Sequence, residues 1–504
     1  MAKFVNKNTV VSDVLDPDLT LTGDADIYGY GDYRANVLTG NDGDNSLKGN
    51  LGGDSLYGGD GRDSLKGEDG DDSLYGEEDD DALDGGVGND SLYGGNGYDN
   101  LKGQEGNDLL DGGLGDDSLD GGSGNDFIEA GDGNDVIKDL LGNDSIYGGA
   151  GDDTITDAAG FNFIDGGIGR DYIKAGINAD TISGGDDNDV IYSAAGNDSV
   201  DAGNGRDKVY GDIGNDTIDA GNGRDYVSGG DGSDLITVGD GNDIVKADGG
   251  NDTIDGGAGS DVISGGTGND SITDVSEDSE VSSGNNKIYG DTGNDRITTG
   301  DGNDTIYGGA NNDTIDGGNG ENTLYGDDGN DVIQGGTGDD SIKGGTGDDV
   351  ITDVSQLSET SVIGNIISGE AGNDTITGSD VFDAISGGDD DDLINITTGA
   401  DKVSTGSGFD VLQFSLDMLT TGLSVSDFGS QDVIKIGAGT TEATAANFVS
   451  GVGIGAITTT EQYFVYDTKT DSLYFDPDGS GSESELEMLG HFNNIDITAA
   501  QLFF

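Results

Sequence analysis

Between Leu38 and Leu412 an aliphatic residue returns at intervals of nine, and the residues around it return with it. The stretch Gly256–Thr273 shows the pattern intact, as GGAGSDVIS followed by GGTGNDSIT. The repeat is Gly-Gly-x-Gly-x-Asp-x-U-x, with U aliphatic. Its sixth position holds Asp at Asp54 and then in every repeat to Asp270, Asn162 being the one lapse. The phase reaches back to Asn45 and Asn36 and breaks after Asp270. It resumes at Asn286, breaks again after Asp349, resumes at Asn365 and ends at Asp410. In all 41 repeats U is Leu, Ile or Val, and the sixth position is Asp in 35 and Asn in 6. A period this regular is the fold itself and is read before any local signal.

Three glycines in six residues permit positive φ and close backbone approach, so the first six positions predict a tight turn with exposed carbonyls. The last three, x-U-x, predict a very short strand with one side chain in and two out. Two repeats then make an 18-residue coil with two opposed strands. The expected fold is all-β: a parallel β-roll or β-helix solenoid of 18-residue coils, followed by a small β-rich carboxy-terminal module. About 20 coils at about 4.8 Å each predict a stack near 100 Å long. One aliphatic in nine residues is a thin core, and stacking sets the Asp rows in register with like charges together. A cation between the turns would relieve this. Carboxylates and backbone carbonyls are hard oxygen ligands in a flexible loop, which suits Ca²⁺ and not zinc or copper.

On these repeats the chain resembles the RTX (repeats-in-toxin) family over about three-quarters of its length, this nonapeptide being a known calcium-binding β-helix repeat. In that family Ca²⁺ lies between turns of successive coils, held by the sixth-position Asp and loop carbonyls. The resemblance implies as ligands Asp54, Asp63, Asp72, Asp81, Asp90, Asp99, Asp108, Asp117, Asp126, Asp135, Asp144 and Asp153. It extends the row through Asp171, Asp189, Asp198, Asp207, Asp216, Asp225, Asp234, Asp243, Asp252, Asp261 and Asp270. The later blocks add Asp295, Asp304, Asp313, Asp331, Asp340, Asp349, Asp374, Asp383, Asp392, Asp401 and Asp410. The worn copies DAAGFN (157–162), AGINAD (175–180) and SAAGND (193–198) have lost turn glycines, and weaker sites are expected there.

Charge changes the picture. The chain has 504 residues, 103 acidic against 20 basic, and a net charge of −83. With 98 Gly, 2 Pro and no Cys it falls by composition among disordered chains, but a disordered tract has no reason to keep U aliphatic throughout. Roughly 35–40 Ca²⁺, about one per repeat, would bring about +70 to +80 and nearly cancel the charge. The chain is therefore expected to be expanded without calcium and compact with it. Strong acidity excludes nucleic acid as a direct partner. No apolar run approaches membrane-spanning length. Met1–Thr20 has no apolar h-region, so no amino-terminal signal peptide is expected, and absent cysteine fits a chain that stays unfolded before export.

Three segments follow. Residues 1–35 read as a lead-in and cap, with Leu19, Leu21 and Ile27 alternating like a first strand over the open end of the stack. Residues 36–412 are the repeat, in blocks 36–273, 286–352 and 365–412 with insertions 274–283 and 353–362. At each break, Asp270 to Asn286 and Asp349 to Asn365, the next sixth position comes one repeat plus a seven-residue bulge later. Residues 413–504 form the terminal module, with strands expected at Asp432–Ile436, Tyr463–Asp467 and Ser472–Asp476.

Outward positions differ between the two faces of an 18-residue coil. Lys48, Lys66, Lys102, Lys138, Lys174 and Lys246 share one face, along with Tyr172, Tyr192, Tyr210 and Tyr226. The opposite face reads as mostly Ser, Thr and Asp, with Leu109, Phe127, Phe163 and Leu235 as exceptions. Strand propensity alone accounts for such residues; a docking face for a cell-surface glycan or for self-association is the sharper reading.

The YD…LYFDPDGSGS hairpin of the terminal module resembles that of exported RTX proteins, and the chain ends apolar, IDITAAQLFF. In that family an uncleaved carboxy-terminal signal engages the type I secretion apparatus. The resemblance implies an extracellular or cell-surface location, with folding delayed until calcium is met outside. Asp476–Glu487 matches an EF-hand loop at Asp476, Asp478, Ser480, Gly481 and Glu487 but has Glu483 where an apolar residue is usual. A plain hairpin turn and a calcium loop both stand as readings.

Too few residues precede the repeats for a catalytic domain, and the sole histidine, His491, rules out an HExxH zinc site. No carboxylate pair stands out among the 103 acidic residues. The chain is read as a non-enzymatic surface-layer, matrix or adhesion component. The alternatives are an accessory module for an extracellular polysaccharide-acting enzyme, and an RTX enzyme or toxin whose site has no motif.

Overall fold

The repeat folds as coils because each nine-residue unit supplies one buried aliphatic and one reversal of direction. A computed structural model describes residues 10–11, 18–20, 26–275, 284–354, 364–414, 423–429, 431–436, 448–451, 463–467, 472–476, 487–492 and 502–503. All elements among them are strands and turns, and no helix there is long and apolar enough to cross a membrane. The chain forms two compact bodies, Met1–Gly249 and Gly250–Phe504.

In the first body two parallel sheets face one another across the ladder of U side chains. Each strand pairs with the strand two repeats further along the chain: Leu47 opposes Leu65 in one sheet, and Leu56 opposes Leu74 in the other. Every U residue of the chain is buried, none more than 3% exposed. Most strands are longer than the x-U-x triplet expected. Ser55–Asp60, SLYGGD, runs on through the first two glycines of the next repeat, with Leu56 and Gly58 inside. The turn is correspondingly shorter. Gly167, inside the strand Phe163–Ile168, and Gly169, in the turn after it, adopt φ of 103° and 131°, which L side chains rarely do.

One sheet of this body narrows to three-residue strands at Val136–Lys138, Thr154–Thr156, Tyr172–Lys174, Val190–Tyr192 and Lys208–Tyr210. The worn copies lie inside this tract, and their pairing beyond the strand falls to single bridges, Ala159 to Ile177 and Ile177 to Ala195. The lead-in joins the stack as three short strands, not one: Val10–Val11 pairs with Tyr28–Gly29, Tyr28–Tyr30 with Ser46–Lys48, and Asp18–Thr20 with Val37–Thr39. Ile27 is buried just before the strand Tyr28–Tyr30.

The second body repeats the arrangement, and its two breaks keep the phase. Ile263 opposes Ile288, Ile272 opposes Ile297, Ile342 opposes Ile367 and Ile351 opposes Ile376. Across each break, then, one coil has taken in the seven-residue bulge without losing register. Most of the insertions themselves, 276–283 and 355–363, lies outside the described residues. Parallel pairing continues past Leu412: Val433–Ile436 pairs with Val411–Phe414, and Ser424–Ser426 with Lys402–Ser404. Tyr463–Asp467 and Ser472–Asp476 form the antiparallel pair expected of a hairpin.

The outward rings stack on one another. Tyr192 and Tyr210 lie 4.6 Å apart and nearly parallel, flanked by tilted contacts to Tyr172 and Tyr226. The opposite face is mostly Ser, Thr and Asp, as read, but its exceptions go beyond Leu109, Phe127, Phe163 and Leu235. It carries Tyr57, Tyr75 and Tyr93 stacked at 4.8 and 4.9 Å, and a Phe127–Tyr147–Phe163 run. Parallel in-register strands put the same position of each coil side by side. A tyrosine in every second repeat thereby becomes a ladder whose ring faces cover each other.

The core ladder sets a testable expectation. Leu92 is fully buried between Leu74 and Leu110. Leu92→Ala is expected to cost about 2–5 kcal/mol in denaturant unfolding at saturating calcium, because backbone pairing holds the coils apart and the cavity cannot collapse.

Candidate metal centre

The sixth-position residues point inward from the turns, on either side of the U ladder. All 34 aspartates expected as ligands are buried, none more than 3% exposed. Each row is wired the same way. The backbone N–H of one sixth-position residue donates to Oδ1 of its counterpart in the next coil: Asp72 to Asp90 at 2.7 Å, Asp90 to Asp108 at 2.7 Å and Asp108 to Asp126 at 2.8 Å. In the second body Asp295 donates to Asp313, and Asp313 to Asp331, both at 2.8 Å. Asn keeps this bond where it replaces Asp: Asp144 donates to Asn162 Oδ1 at 2.9 Å.

Oδ1 is thus satisfied. In most of these aspartates Oδ2 is buried with no hydrogen-bond partner, as in Asp54, Asp63, Asp72, Asp81 and Asp171. Asp383 differs, since its Oδ2 accepts the N–H of Ser379 at 2.9 Å. A buried carboxylate oxygen without a donor is costly, and native proteins leave few such atoms. Here the same atom is left in coil after coil.

The first glycine of the repeat explains where Oδ2 points. A methyl group built on Gly166 would stand 2.5 Å from Asp171 Oδ2 and 2.7 Å from the carbonyl oxygen of Gly184 in the next coil. On Gly308 it would stand 2.6 Å from Asp313 Oδ2 and 2.8 Å from the Gly326 carbonyl. Neither glycine needs positive φ; what requires it is the space beside the carboxylate. Each intact repeat therefore holds a small cradle of oxygen atoms between coils, with no nitrogen or sulfur ligand. This donor set fits a hard cation of the calcium type. Some repeats fill the cradle with a side chain, as Ala130, Val238 and Ile396 do at the first position.

Electrostatics agree with the geometry. Burial pushes the Asp81 and Asp189 carboxyls up to about 8; the N–H of the preceding coil pulls down, and the row carboxylates of the two adjoining coils push up again. Asp54, Asp90 and Asp117 are raised by burial to about 7. The rows hold negative charge only against a strong bias toward protonation, and a bound divalent ion would reverse that bias.

The fifth position, x in the repeat, also has a role that the sequence reading missed. Asn89 Oδ1 accepts the N–H of Asn107, Asn107 that of Asn125, and Asn125 that of Asn143, at 2.7–2.8 Å. The recurrence of Asn or Asp before the sixth-position Asp was the available signal, since these side chains cap backbone N–H groups in turns. The EF-hand-like stretch Asp476–Glu487 lies mostly outside the described residues, as does the side chain of His491.

The RTX calcium-binding nonapeptide repeat, taken four copies at a time, matches in overlapping windows from 30–65 to 237–272, and again at 281–315, 316–351 and 368–401. No curated protein matches the chain.

Proposed function

The chain belongs to the RTX calcium-binding nonapeptide-repeat family, and on that premise we propose that it is an exported structural protein whose roll folds around Ca²⁺ outside the cell. In this reading it acts without catalysis, as a component of a surface layer, matrix or adhesive coat. The observation that carries the proposal is the pair of buried carboxylate rows with unpartnered oxygens. They make cation binding and folding one event, which suits a chain that must stay open where calcium is scarce and close where it is plentiful.

The stoichiometry follows from the cradles, at about one ion per open repeat. Gly166→Val is expected to leave the fold intact, because Val238 and Ile396 already occupy that position, and to lower calcium at saturation by one or two ions. Equilibrium dialysis reads the difference. An unchanged count would separate the cradle from the ion.

Cell fractionation with and without a chelator tests the location and role. Protein found on the cell surface and released by chelator supports a calcium-dependent coat. Protein free in the medium under both conditions removes that role.

A further inference from the structure

Four residues put Asp where the repeat has its first glycine: Asp139, Asp157, Asp274 and Asp353. All four are buried. In three of them the next sixth position is Asn, at Asn162, Asn286 and Asn365, so a carboxylate has moved within the coil without any gain in number. Asp139 is the exception. Its own repeat keeps Asp144, and the coil before it keeps Asp126.

The three carboxylates converge. One oxygen of each lies within 4.8 Å of the other two. Asp139 Oδ1 accepts the N–H of Leu140 at 2.7 Å, Asp126 Oδ1 that of Asp108 at 2.8 Å, and Asp144 Oδ1 that of Asp126 at 2.7 Å. The three Oδ2 atoms have no hydrogen-bond partner, and none of the residues is more than 3% exposed. A methyl group built on Gly121 would stand 2.5 Å from Asp139 Oδ2 and 2.7 Å from Asp126 Oδ2. At the same point an ordinary repeat such as that of Gly166 offers one carboxylate and one backbone carbonyl.

We propose that Asp139 joins the cradle carboxylates of Asp126 and Asp144 to form a three-carboxylate cation site, which binds Ca²⁺ more tightly than the ordinary cradles do and fills first. Three carboxylates with unpartnered Oδ2 atoms in one buried space repel one another strongly unless a cation joins them. The affinity of oxygen sites for calcium rises with the charge of the ligand set, and this site carries one formal charge more than its neighbours. It also sits where the sheet begins to narrow, at the end of Val136–Lys138, so an ion there would join the coils where strand pairing is thinnest. The proposal rests on the reading that the chain binds calcium.

The test uses the full chain, stripped by chelator and dialysed against radioactive calcium at buffered free concentrations. Asp139→Gly restores the residue that the repeat has at Gly121, and Asp139→Asn keeps the shape without the charge. Both variants are expected to lose the tightest bound equivalent, which should weaken by about tenfold or more, while dichroism in saturating calcium stays that of the wild type. Retention of that equivalent in both variants overturns the proposal and leaves the calcium reading standing. Failure of both to regain wild-type dichroism also overturns it, making Asp139 a residue of structure alone. No calcium uptake by the wild type would overturn both.

Discussion

In chelator the full chain is expected to lose its β-sheet dichroism and to expand toward the radius of gyration of about 80 Å of an unfolded chain of 504 residues. Millimolar Ca²⁺ should restore both. The reason lies in the second carboxylate oxygen. Each buried acceptor without a donor costs about 1–3 kcal/mol, and more when charged. Domains are stable by only about 5–15 kcal/mol. A dozen such atoms would exhaust that margin, and the rows contain more than a dozen. The U ladder, with one aliphatic per repeat, has little to set against them. Unchanged dichroism and radius in chelator would show that backbone pairing and the ladder suffice without metal.

Acid is expected to act in opposite directions on the metal-free and the calcium-bound chain. In the metal-free roll, burial raises the row carboxyls to about 6–8, as in Asp63, Asp126 and Asp189, from an ordinary value of 3.8. Between those limits the folded state binds more protons than the unfolded one. The stability that protonation provides is therefore present at low pH and lost as pH rises through the raised values, from about 4 to about 8. The chelated chain should become more compact on acidification within that window. Calcium needs the same carboxyls deprotonated. Below about pH 7 the calcium midpoint should rise by roughly tenfold per pH unit for each proton displaced. Calorimetry in two buffers of different ionisation heat reads the protons released, and dichroism against pH reads the fold. A calcium midpoint that does not move between pH 8 and pH 5 would show that the ions avoid these carboxylates.

Much of this was legible in the chain because a nine-residue period leaves few alternatives. The aliphatic U and the sixth-position Asp gave the coil, the core and the in-register Asp rows, whose burial only the fold shows. The spacing at each break gave the seven-residue enlargement that the registers of Ile263 with Ile288 and Ile342 with Ile367 display. What was missed lay at positions written x, or at a two-repeat period that a nine-residue frame conceals. Tyr57, Tyr75 and Tyr93 are two repeats apart, and following the lysines of one face hid the tyrosines of the other. Asn89 and Asn107 passed as turn residues because their partners are a full coil away. Nothing in the sequence pattern singled out Asp139; only the folded coil shows which carboxylates it meets. Strand length was misjudged because glycine has weak strand propensity, yet parallel neighbours carry Gly58 and its counterparts into the ladder.

The wiring of the buried rows has a direction. The N–H always belongs to the earlier coil and the accepting carboxylate to the later one. A stack cut between coils would show acceptors on one surface and donors on the other, so its two ends fit each other and not themselves. Such ends join head to tail, and head-to-tail joining has no built-in stop. Asp432 provides one: buried beyond the last repeat, it takes the N–H of Asp410 at 3.3 Å, and its other oxygen accepts from Thr405 Oγ1 at 3.1 Å. Removing the residues after Leu412 would leave the N–H of Asp410 without that acceptor and bare the last strands of the second body's stack to strand addition by another chain.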